Sequence, residues 1–112
     1  MNDSILTSIK KLLGIEESYT AFDSDLLIHI NSVFFILYQL GIGNDPTSAF
    51  TISDASAVWS DFIDAGKVDL IKSYMYLKVR LMFDPPQNGS LLQAMKEQIA
   101  EFEWRANVST GK

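Results

Sequence analysis

The lone histidine, His29, stands one helical turn after Asp25, and this pair is the nearest the sequence comes to a catalytic dyad or the beginning of a metal site. There is no second histidine and no cysteine. A zinc centre would therefore need further carboxylates gathered by the fold, and thiol nucleophiles and disulfides are excluded. The paired acids Asp23/Asp25 and Glu101/Glu103 fall at helix-cap and surface spacings, where carboxylates are ordinary. No glycine-rich phosphate loop, GxSxG or GxGxxG occurs. The expectation is a protein that is not an enzyme, with no catalytic residue, no cofactor and no metal.

Two residues resist so plain a reading. In YLKVRLMFDPP, residues 76–86, Lys78 falls in the middle of a wide apolar arc formed by Leu70, Ile71, Tyr74, Met75, Leu77, Leu81 and Met82. Its stem can snorkel past these neighbours. Otherwise it is buried, and a buried ammonium requires an acid from another helix or another subunit, for which Asp25 is one candidate. Arg80 lies on the opposite, polar side of the same helix with Asp69, Lys72, Ser73 and Tyr76. Trp104 projects beside Gln93, Glu97 and Glu101, away from the apolar stripe of its helix. Either it folds back onto a neighbouring loop or helix, or it is an anchor for another protein, a role in which tryptophan is enriched. Lys78, Arg80, Trp104 and Arg105 are the candidate interface residues.

The elements that position them are helical throughout, because apolar residues recur at 3.6-residue spacing. Ile5 to Leu13 make a short first helix, with Asn2 or Asp3 as cap and Gly14 as terminator. A second helix is expected from about Ser24, capped by Asp23, to Leu40. A third runs over Ala55, Val58, Trp59, Phe62 and Ile63, and a fourth over 67–83, stopped by Pro85 and Pro86. A fifth spans about 90–105, with Ser90 and Gln93 at capping-box spacing and a stripe of Leu91, Leu92, Met95, Ile99 and Phe102. Residues 41–53 form a loop long enough to be expected to project, with a few extended residues at 50–52. The fold class is all-α, a small bundle of about five helices with one long loop. Residues 1–112 read as a single domain, and the polar tail 105–112 as flexible.

Length and charge narrow the function. A chain of 112 residues, 47% of them hydrophobic, builds one core but little elaborate machinery. Its longest apolar run, LLIHINSVFFILYQL, is interrupted by His29, Asn31, Ser32 and Gln39 and falls short of the roughly 20 residues of a membrane span, so a soluble chain without a membrane partner is expected. MNDSILTSIKKLLG lacks the basic start and cleavage site of a secretory signal. The net charge is −5, unevenly shared: residues 1–66 hold nine acids and two bases, and residues 67–112 hold five acids and seven bases. An acidic total opposes sequence-specific nucleic-acid binding. Complementary halves suit head-to-tail association.

DLLIHINSVFFILYQLGIG, VWSDFI, IKSYMYLKVRLMFDPP and LLQAMKEQIAEFEWRANV together resemble the small head-tail connector proteins of tailed bacteriophages and prophages of low-GC Gram-positive bacteria. The resemblance covers about residues 20–108, and YLKVRLMFDPP and MKEQIAEFEWR are its distinctive parts. It implies a helical adaptor that forms a homo-oligomeric ring beneath the portal protein and joins a downstream head-completion or tail protein. DNA would pass through the ring's lumen without sequence recognition. Such a protein belongs in the neck of the virion, and in the host cytoplasm during assembly. Rings of this family form weakly in free solution, so a monomer in isolation is compatible with it. The competing class is a non-viral helical interaction module or small regulator.

Overall fold

The computed structural model describes residues 4–110, which form four α-helices: α1 (Ile5–Leu13), α2 (Asp23–Gln39), α3 (Val68–Phe83) and α4 (Gly89–Thr110). Two single 3₁₀ turns, Trp59–Asp61 and Ala65–Lys67, precede α3. Among the described residues the only sheet-like pairing is an isolated bridge between Ser4 and Val58.

The helix ends follow local chemistry. Ser4 caps α1, its hydroxyl accepting from the Thr7 amide at 3.2 Å, while Asn2 and Asp3 lie outside the described residues. Gly14 closes α1 at φ 81°, where its amide reaches the carbonyls of Lys10 and Lys11. α2 begins at Asp23 rather than after it, with Asp23 and Asp25 both in its first turn. There they meet the positive end of the helix dipole. α3 stops at Asp84, ahead of the two prolines. The cap of α4 is Asn88, not Ser90. Its Oδ1 accepts from the amides of Ser90 at 2.8 Å and Leu91 at 3.1 Å, so the helix starts one residue earlier than expected. α4 also continues beyond 105, to Thr110.

α2 and α3 pair at the centre, α1 packs across both, and α4 doubles back along α3. The core is fully buried at Ile5, Ile9, Leu26, Ile30, Phe34, Leu37, Trp59, Met75 and Val79. Each such side chain contributes about 1.5–3 kcal/mol by leaving water. The class is thus all-α, with four helices in place of the expected five.

The missing helix is the segment around 55–63. Its apolar spacing is used, since Trp59, Phe62 and Ile63 are buried. Only one 3₁₀ turn forms, however, because distant partners hold the backbone. Ile5 donates its amide to the Ala57 carbonyl at 3.0 Å, and the Trp59 indole donates to Ser8 Oγ at 3.1 Å. The Asp54 and Asp61 carboxylates accept local amides that compete with a helix. The preceding loop is likewise tied down. Asn31 on α2 exchanges two hydrogen bonds with the backbone of Ile52, at 2.8 and 2.9 Å, and Phe50 packs edge-on against Phe34. Residues 44–48 at its tip remain exposed.

Candidate protein-protein interface

α3 and α4 carry all four sequence-derived candidates. The buried side of α3 is Val68, Ile71, Tyr74, Met75 and Val79, so the arc is rotated from the one expected. Leu70, at 62% exposed, and Met82 face outward. Lys78 sits at the edge of that side, where α3 meets α4. Its ammonium lies 3.7 Å from Glu103 Oε2, with the two side chains 25% and 33% exposed. The acid partner in the structure is thus Glu103, not Asp25.

The same carboxylate oxygen accepts a 2.6 Å hydrogen bond from the hydroxyl of Tyr74, whose ring stacks on Phe102 with centroids 4.2 Å apart. Burial is the main reason the Tyr74 hydroxyl is pushed above its ordinary pKa. The hydrogen bond to Glu103 and that residue's negative charge act in the same direction. Tyr74, Lys78, Phe102 and Glu103 therefore form one clasp that fixes α4 against α3. Next to the clasp, Trp104 is 66% exposed. Arg105 makes a solvent-facing ion pair with Glu101 at 2.9 Å. Arg80 is not part of this group: its guanidinium donates to the Tyr76 hydroxyl at 2.9 Å, one turn back on α3.

The Glu101–Arg105 pair borders an open groove of about 620 Å³ that runs between α4, the start of α3 and the 41–44 turn. Ile42, Ile63, Leu70, Phe102 and Ala106 line its apolar part. At the opposite end of α3 is a feature that wheel projections of single helices did not reveal. The ring of Tyr19 meets that of Phe22 at 5.5 Å, and Phe22 meets Phe83 at 5.1 Å, each edge-on. Tyr19 and Phe22 are exposed, as are the acids Glu16, Glu17 and Asp25 around them. The signal was present in EESYTAFDSD, residues 16–25, as aromatics spaced among acids outside any apolar stripe.

Beneath this patch a second lysine is buried outright. Lys10, 2% exposed, lies 2.9 Å from Asp23 Oδ1 and donates to the carbonyls of Glu17 at 3.0 Å and Tyr19 at 2.7 Å. Asp23 Oδ1 is itself buried and accepts no well-formed hydrogen bond among the described residues, so the ammonium's charge is what offsets its desolvation. Lys10 thereby shapes the turn that presents Tyr19. Asp25 is exposed, and the His29 ring rests 6.5 Å from that of Phe83. Among the described residues no three His, Asp or Glu side chains are grouped so as to hold a metal. Among the described residues no helix is long and apolar enough to cross a membrane.

Against known proteins, the family model described as phage connector protein matches residues 5–112. Neither the curated proteins nor the solved structures contain a match.

Proposed function

The chain belongs to the phage connector protein family, and on that premise we propose that it assembles as a ring beneath the portal, extends the DNA channel and joins the filled head to the tail. Membership makes it a structural connector of phage, and its partners are components of the head-tail junction. The portal lies on one side of the proposed ring and a head-completion or tail protein on the other. The source is a phage or prophage of a Gram-positive host. The chain works in the neck of the virion after passing through the host cytoplasm.

One observation carries this reading beyond the family: Trp104 is 66% exposed on a helix packed chiefly against α3. A large aromatic left in water stabilises nothing in the monomer, whereas it becomes an anchor once a partner desolvates it. Arg105 beside it adds a charge that can re-pair across an interface, since its exposed pair with Glu101 is worth little.

The test is replacement of the gene in its phage by Trp104→Ala, with Arg105→Ala alongside. Each purified variant should match the parent's stability within about 0.5 kcal/mol. Particles carrying it should leak DNA or fail to join tails. Complete, infectious particles lacking the chain altogether would overturn the connector role. A Trp104→Ala chain that unfolds would make the residue structural and remove it from the interface.

A further inference from the structure

Two exposed surfaces, each centred on aromatic side chains, lie at opposite ends of the α3/α4 pair, and a guanidinium held only by an exposed ion pair with Glu101 stands at one of them. One end bears Tyr19, Phe22 and Phe83, rimmed by Glu16, Glu17 and Asp25. On α1, whose last turn leads into that rim, Lys11 is exposed and Lys10 is already neutralised by Asp23. The other end bears Trp104 and Arg105, and from residue 104 onward the sequence contains Arg105 and Lys112 but no acid.

The chain cannot bring these ends together within itself. The clasp fixes Glu103 to Tyr74 and Lys78, nine and five residues before Phe83 on α3, which is roughly 8 to 14 Å at 1.5 Å per residue. Resting on the ring reading above, we infer that the aromatic and acidic patch at Tyr19 and Phe22 receives the Trp104/Arg105 end of the next copy of this chain. An aromatic finds an edge-to-face partner there, and a guanidinium finds carboxylates held in a fixed turn. Because donor and acceptor surfaces differ and sit far apart, each copy has one of each free after the first contact. That is the condition for a heterologous chain that closes into a ring. The burial of Lys10 belongs to the same design: its bonds to the Glu17 and Tyr19 carbonyls hold the receiving turn in shape.

The chain has no cysteine, which allows a direct cross-linking test. Ser18→Cys, beside the receiving patch, and Ala100→Cys, exposed one turn before Trp104, are made singly and together in the full chain, and particles assembled with each are treated with a short bis-maleimide. The double variant should give a ladder of dimers, trimers and higher species. Each single variant should stay monomeric, and co-assembly of the two singles should stop at dimers. A single variant that cross-links to itself would show like surfaces meeting and overturn the inference. So would particles that contain the double variant and yield no ladder, although these leave the connector role intact. Particles from which the parent chain is absent would instead remove the connector role itself.

Discussion

Lys10 and Lys78 both interrupt apolar helix faces, and their surroundings make them different in kind. Lys10 is sealed in, with a buried carboxylate and two carbonyls as its partners. Lys10→Met leaves Asp23 Oδ1 uncompensated and should cost about 3–5 kcal/mol. Lys78 reaches a partly solvated Glu103 that Tyr74 already satisfies, so Lys78→Met should change stability by less than about 1 kcal/mol. Urea unfolding with an unchanged m-value decides it, and equal losses would contradict the ranking. Tyr74 supplies the pH dependence of the clasp. Its hydroxyl pKa is raised on folding above the ordinary 10.0, so its contribution is full below about pH 10 and is lost as pH climbs above that value. Tyr74→Phe should cost about 1.5–3 kcal/mol at pH 7, the range for a hydrogen bond to a charged group. It should also flatten the alkaline decline in stability. An alkaline limb that is identical in parent and variant would place the titration elsewhere. The place of Lys78 on an apolar face was legible because α3 is periodic, but its partner was not, since Glu103 is brought to it by the packing of α4 and the sequence had offered Asp25. Lys10 was not, because its cage forms only where the 15–22 connection folds back over α1.

At the scale of elements, α1, α2, α3 and α4 were readable because each has an apolar stripe and a glycine, asparagine or proline at a boundary. The segment around 55–63 carries the same spacing without becoming an α-helix, since Ile5 and Asp61 engage its backbone and Ser8 holds the Trp59 side chain. Periodicity reports which side chains are buried and says little about a backbone held by distant residues. The turn after α2 shows a second non-local constraint. Gly43 has φ 126°, and a Cβ there would stand 2.8 Å from the ring of Phe62. Gly43→Ala should therefore cost about 1–3 kcal/mol and loosen the Phe34/Phe50/Phe62 cluster, seen as lost near-ultraviolet dichroism. Retention of both stability and signal would show that the turn can relax. α4 depends on one seam, and two of its buried anchors are Met95 and Ile99. Ile99→Ala should cost about 2–4 kcal/mol and raise hydrogen exchange along α4 ahead of α2. Uniform acceleration across all helices would instead make α4 part of one cooperative unit.

For the whole molecule, an acidic total disfavours attraction to DNA, and the proposed contact between copies must come from local charge and aromatic surface. With a net charge of −5, it gains little from releasing phosphate counterions. This suits a proposed lumen through which DNA slides without being held. The proposed self-association is another matter, because the acids Glu16, Glu17 and Asp25 and the base Arg105 lie at separate ends of the fold. Those charges are exposed, so salt must weaken them: screening shortens from about 10 Å at 0.1 M to about 3 Å at 1 M. The aromatic contact between Trp104 and the Tyr19/Phe22 patch is indifferent to this screening and is strengthened by salts that favour burial. Sedimentation velocity of the concentrated chain should therefore show association falling between 0.05 and 0.5 M sodium chloride. Glu16→Lys combined with Glu17→Lys should abolish that dependence and weaken association at low salt, and adding Arg105→Glu should partly restore it. Trp104→Ala should lower association at every salt concentration while preserving the slope. Association that rises steadily with sodium chloride, or a charge swap that restores nothing, would mean that the acidic rim takes no part in the contact between copies.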